Sequence, residues 1–174
     1  MAESSRLTLI GLMGAGKSRI GRRLAVHLNL PLIDLDERIV VAEGRSIADI
    51  FAEDGEAEFR RLESEMLRSV IEENAIIATG GGIVLSEENR ALLKRHPPVI
   101  WLDSSAKALA KRIGKNTKRP LMVGVDPLEK TRELATMRNP FYAECSDFYL
   151  RSDQMSKQEA VDTIITFLSE WRHD

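Results

Sequence analysis

Eight residues near the start of the chain constrain its fold more than anything else in it: Gly11-Leu12-Met13-Gly14-Ala15-Gly16-Lys17-Ser18. They fit the pattern G-x4-G-K-S/T, and with glycine at about 7% of residues a chance match falls below roughly one in a hundred. The apolar run Leu7 to Leu12 leads into them, and Ile20, Leu24 and Leu28 come after at helical spacing. Strand, glycine turn and helix in that order make a cradle for phosphate: main-chain N–H groups converge on the anion, and the helix offers its positive end. An ordinary glycine-rich turn would not require Lys17 and Ser18 together. Lys17 brings a full charge toward a transferring phosphoryl group, and the Ser18 hydroxyl suits magnesium. Gly11, Gly14, Ala15, Gly16, Lys17, Ser18 and Arg19 are therefore the candidate nucleotide-binding residues, Arg19 standing where many such loops carry a second hydroxyl.

The rest of the chain repeats the rhythm of a short apolar run, a polar turn and a helical pattern. Leu32-Ile33-Asp34, Ala75 to Thr79, Val99-Ile100-Trp101-Leu102 and Phe148-Tyr149-Leu150 read as further strands. A closing helix presents Val161, Ile164, Ile165, Leu168 and Trp171 on one face. Runs that are apolar throughout, rather than alternating, imply a sheet covered on both faces, hence parallel strands joined by helices. The expected fold is an α/β domain with a five-stranded parallel sheet. At 174 residues, 43% of them hydrophobic, one domain is expected. Residues 36 to 73 exceed what one crossover needs and carry only helical pattern, with Ser46 capping a helix that starts at Ile47. Residues 114 to 127 hold Gly114, Pro120, Gly124 and Pro127 with little apolar periodicity, the composition of a flap.

Charge narrows the function. A net charge of −2 argues against a dedicated nucleic-acid binder or a polybasic membrane-surface protein. No apolar run is long enough to span a bilayer, and the N-terminal apolar stretch runs into Lys17 without a signal-peptide cleavage site. A single cysteine, Cys145, fits a reducing compartment, so a cytoplasmic location is expected. A guanine-reading N-K-x-D and a D-x-x-G are both missing, which excludes a switch GTPase. Asp103 could be a magnesium-binding acid at a strand end, but in Asp103-Ser104-Ser105 it reads first as a helix cap. Asp34 and Asp36 are the better acids, because strand ends of a parallel sheet face the ligand crevice. Two carboxylates two residues apart both reach that crevice only if the chain bends there.

Further residues fall into a pattern with a known family. Asp34-Leu35-Asp36, Gly44 to Phe51, Gly55 to Glu63, Gly80-Gly81-Gly82, Arg119-Pro120-Leu121 and Arg138-Asn139-Pro140-Phe141-Tyr142 stand in order behind the phosphate loop. Together they closely resemble the shikimate kinases, small members of the nucleoside-monophosphate-kinase-like group of phosphate-loop enzymes, from about Leu7 to about Tyr149. The resemblance implies ATP as co-substrate, magnesium as cofactor, and transfer of the γ-phosphoryl group to the 3-hydroxyl of shikimate, a step toward chorismate and the aromatic amino acids. It implies a three-layer fold with a substrate-binding insert at about 36–63 and a lid at about 114–126, acting as a monomer.

The same resemblance assigns roles. Arg60 and Arg138 clamp the substrate carboxylate, a task suited to the planar guanidinium fork. Gly80, Gly81 and Gly82 offer main-chain N–H groups to the ring. Asp36 accepts from the substrate hydroxyls and serves as base, and Asp34 joins Ser18 at magnesium. Arg119 closes over the phosphates, and Arg112 stacks on adenine. Each has a plainer reading: Arg60 among Glu56, Glu58 and Glu63 as a surface ion pair, the three glycines as a flexible loop, Arg138 as a cation near a helix end, Arg112 with Lys111 as a solvated pair. Another small-metabolite kinase on this frame, such as gluconate kinase, and a nucleotide-responsive module without catalysis are the rival functions.

Overall fold

The computed structural model describes residues 6–113 and 120–171. Its sheet has five parallel strands, β1 (Leu7–Ile10), β2 (Leu32–Asp34), β3 (Ile76–Ala78), β4 (Val99–Asp103) and β5 (Phe148–Arg151), in the order β2-β3-β1-β4-β5. The all-buried β1 and β3 lie inside the sheet, whereas β5, at its edge, leaves Tyr149 exposed. Leu9 stands opposite Ala78 on one side and Ile100 on the other, and Asp34 also stands opposite Ala78. β1, β2 and β3 therefore end in step, and the segments leaving them share one edge of the sheet.

β1 stops at Ile10, short of the expected Leu12, for a steric reason. Gly11 takes φ +144°, and a Cβ there would run into the Leu102 carbonyl of β4. Only glycine lets the chain leave the sheet at that point. Helix α1 (Lys17–Leu28) then starts from Gly16 and lays Ile20, Leu24 and Ala25 against the sheet.

The long insert is three helices. Asp34 caps α2 (Leu35–Glu43), its carboxylate accepting from the Glu37 N–H. Ser46 caps α3 (Ile47–Asp54) as expected, accepting from the Asp49 N–H at 3.0 Å. Helix α4 (Glu56–Val70) runs back to the sheet. Ile39, Ile50 and Phe59, one from each helix, make a small core of their own, apart from the main one. Burial of three such side chains contributes about 1.5–3 kcal/mol each, enough to hold the insert as a unit.

Beyond the sheet centre lie α5 (Glu87–Lys94), α6 (Ala106–Ile113), α7 (Pro127–Cys145) and α8 (Lys157–Trp171). Two expectations need correction. Ser105, not Asp103, caps α6 by accepting from the Ala108 N–H at 3.1 Å; Asp103 instead accepts from the Ser104 N–H and, at 2.8 Å, from the Tyr149 hydroxyl. Trp171 is 37% exposed and leans on Phe167, off the buried face of α8. Arg119, with the first part of the flap, lies outside the described residues; Pro120–Met122 beyond it form a short 3-10 turn.

Candidate active site

The loop between β1 and α1 wraps the Lys17 ammonium, which donates to the Gly11 carbonyl and, at 3.0 Å, to that of Leu12. Next along the chain, the Ser18 hydroxyl donates to Asp34 at 2.6 Å. This bond joins the start of α1 to the end of β2, and it places two hard oxygen donors side by side below the loop. Such a pair fits magnesium, which takes one or two protein oxygens and completes its shell with water and phosphate. Among the described residues no group of three or more His, Cys, Asp or Glu could hold a metal unaided. Asp34 and Asp36 do both reach the crevice: the bend expected between them is the junction of β2 with α2.

A cleft of 630 Å³ opens over the loop, with Asp34, Asp36, Gly80 and Gly81 along one wall. The opposite wall is formed by Arg112, Ile113, Ser152, Met155 and Lys157. Arg112 is tied to the loop, donating to the Gly14 carbonyl at 2.7 Å, and like Lys111 it is exposed. Arg19 lines the same cleft. Ser152, Met155 and Lys157 carry no motif that sequence reasoning could seize. Their only signal is position, since a segment after the last parallel strand emerges at the ligand edge of the sheet. Buried Ser152 sits 3.0 Å from the carbonyls of Ala15 and Asp103, pinning the loop to the end of β4.

Behind Gly80 and Gly81, which line the cleft, two arginines that are not part of its lining meet the glycine turn that leaves β3. Arg60 on α4 donates to Glu63 at 3.1 Å and to Glu56 at 3.3 Å and stays partly exposed. Glu63 is 1% exposed; burial pushes its carboxyl above the ordinary value, the Arg60 charge pulls it back, and Asp36 pushes it up again. Arg138 is 3% exposed on α7. The Nε atoms of both arginines are buried without a hydrogen-bond partner. Arg138, a buried cation with a donor to spare, calls for an anion.

The three glycines leave room for the polar groups that surround them. A Cβ at Gly82 would fall inside the Arg60 guanidinium. One at Gly81 would stand 3.3 Å from Arg138 Nη1 and 3.4 Å from the Met13 amide nitrogen of the phosphate loop. One at Gly80 would lie 2.8 Å from Glu63 Oε2 and 3.1 Å from Asp36 Oδ1. The glycine turn is thus the junction of both halves of the site. Cys145 takes no part; it is buried, and burial pushes its thiol up to about 11.

A phosphate loop leading into a helix, opening beside a second, cation-lined recess, defines a phosphate-loop kinase. The family model for shikimate kinase matches residues 13–169, and the chain belongs to the shikimate kinase family. Shikimate kinase from Rhodococcus jostii (strain RHA1) is 45% identical over 166 residues, covering 95% of this chain and 98% of that protein. The shikimate kinase of Symbiobacterium thermophilum is 44% identical, over 94% of this chain and 96% of its own. Among solved structures, shikimate kinase from Acinetobacter baumannii in complex with shikimate superposes with a TM-score of 0.92 at 30% identity, covering 95% of this chain and 93% of that one. Deoxyadenosine kinase from M. mycoides, at 16% identity and a TM-score of 0.60, shares the fold. The chain is accordingly an ATP-dependent kinase that phosphorylates the 3-hydroxyl of shikimate, on the route to chorismate and the aromatic amino acids.

Proposed function

We propose that the two halves of the cleft divide the reaction between them, ATP lying over residues 11–19 and the acid between Arg60 and Arg138. The observation that carries this reading is the convergence at Gly81, where an added Cβ would approach both a loop amide and the Arg138 guanidinium. A ring held there has its carboxylate among cations and its hydroxyls toward Asp36 and the phosphates.

Gly11, Gly14, Ala15, Gly16, Lys17, Ser18 and Arg19 receive the phosphates, and Arg112 packs on the adenine. Arg60 and Arg138 grip the carboxylate, while the N–H groups of Gly80, Gly81 and Gly82 address the ring. Asp36 takes the proton of the 3-hydroxyl as that oxygen bonds to the γ-phosphorus; the bond to the bridging oxygen breaks, and ADP departs. Lys17 neutralises the charge that spreads over the equatorial oxygens, as does Arg119, whose role rests on the sequence resemblance. Ser18 and Asp34 would hold magnesium, which supplies further neutralisation of the phosphate oxygens. Closure of a lid at about 114–126 keeps water from replacing the acceptor. Residues 1–174 act as a single kinase domain with its substrate-binding insert at about 36–63. The near-zero net charge and the lone thiol support a cytoplasmic protein that engages neither nucleic acid nor membrane, and its action as a monomer rests on the sequence resemblance.

The test is an ADP-release assay with shikimate, gluconate, quinate and nucleoside monophosphates offered separately. Rapid turnover with shikimate alone is expected. Faster turnover with any other acceptor overturns the assignment of the recess.

A further inference from the structure

We propose that Tyr142 is the positioning residue of the acid-binding end of the site, a tie between the Arg138 guanidinium and the glycine turn at Gly81. This rests on the reading above, in which Arg138 grips the substrate carboxylate. Tyr142 is wholly buried on α7, one helical turn beyond Arg138, so the two side chains rise from the same face. Its hydroxyl donates to the Gly81 carbonyl, and the Arg138 guanidinium lies beside the same glycine, its Nη1 3.3 Å from where a Cβ on Gly81 would stand. Arg138 can only donate and the Gly81 carbonyl can only accept, so a hydroxyl between them can serve both at once.

Packing alone does not explain this residue. The ring lies 5.7 Å from that of Trp101, and phenylalanine would fill the same space. What the oxygen adds is directed wholly at the site. The phenol also stays protonated, because burial drives its pKa upward, so it can keep donating to the carbonyl while accepting from the cation. Arg138 has a long side chain with much rotamer freedom, and its Nε has no partner. Tying its far end to Gly81 sets the spacing of cation and main-chain donors before the acid arrives.

The experiment combines Tyr142→Phe and Arg138→Lys, singly and together, with calorimetric titration of shikimate and, separately, ADP. Tyr142→Phe is expected to weaken shikimate binding about tenfold, the scale of one charge-assisted hydrogen bond, and to leave ADP binding within about twofold. Arg138→Lys is expected to lose at least as much. The double variant should bind shikimate within about twofold of Arg138→Lys alone, since the tie has nothing left to position. Unchanged shikimate affinity in Tyr142→Phe, equal losses for both ligands, or additive losses in the double variant overturn the proposal. Wild-type shikimate affinity in Arg138→Lys overturns the grip itself, and the tie with it. Should Tyr142→Phe not fold, 3-fluorotyrosine incorporated into a Tyr149→Phe protein leaves one fluorine reporter, because the chain has only two tyrosines. Its resonance should move with shikimate and hold still with ADP; a signal indifferent to shikimate sinks the idea.

Discussion

Lys17 is 9% exposed, and its ammonium rests on two loop carbonyls within the cleft proposed to receive the phosphates. A cation held so close to a transferring group stabilises charge that grows only in the transition state. Lys17→Ala should therefore lower kcat at least about a hundredfold in steady-state assays, with a smaller change in KM. Arg60 acts on the ground state. Arg60→Ala should weaken shikimate binding by about 2–4 kcal/mol, because it leaves the substrate carboxylate with one cation fewer, and should spare ATP binding. Glu63 itself makes a prediction in pH. Its folded carboxyl titrates above the ordinary value, so its contribution to stability is full below the unfolded value and is lost as pH rises through the folded one. Glu63→Gln removes that loss. The melting temperature of the variant relative to the parent should climb as pH rises above the ordinary carboxyl value, and a difference that is flat or falls contradicts the assignment.

At the level of elements, the junction of β2 and α2 does two jobs with one carboxylate: Asp34 caps the helix through the Glu37 N–H and receives the Ser18 hydroxyl. Substitution can separate them. Asparagine caps as well as aspartate, so Asp34→Asn should unfold within about 0.5 kcal/mol of the parent, while Asp34→Ala should lose about 1 kcal/mol. Both should raise the magnesium concentration for half-maximal turnover by about 10–100-fold, since only the carboxylate supplies the charge. Equal magnesium dependence in Asp34→Asn and the parent would leave Asp34 as a cap and nothing more. This junction also shows what the sequence discloses. The acids, the strand before them and the capped helix at Ile47 are local patterns, and each is legible in the residues themselves. Arg60, Arg138 and the three glycines look ordinary singly and become legible only as an ordered set resembling a family. Asp103 misleads because Asp103, Ser104 and Ser105 can all cap a helix, and its real partner, Tyr149, lies on the neighbouring strand β5. At Ser152 and Met155 only the segment is legible, not the residues, for a similar reason. Its place depends on β5 pairing with β4, a contact that no local spacing announces.

At the scale of the molecule, the sheet order sets the two binding regions along one edge with a single shared seam. The phosphate loop leaves the central strand β1, and the glycine turn leaves the adjacent β3. The insert hangs over that seam with its own core and carries Arg60 on α4. The two regions should therefore be separable by mutation though contiguous in space. A ligand present at a hundred times its Kd stabilises the fold by about 2.7 kcal/mol. For a chain of this size that is a rise of about 5–10 °C in melting temperature. ADP and shikimate, each added alone, should both produce such a shift in the parent protein. Lys17→Ala should lose most of the ADP shift and keep that of shikimate, and Arg60→Ala should do the reverse. If either substitution abolished both shifts while leaving the unliganded melting temperature intact, the seam would be carrying ligand energy between the halves. The division of the cleft at Gly81 would then be wrong, because a boundary between independent sites cannot transmit the loss of one to the other.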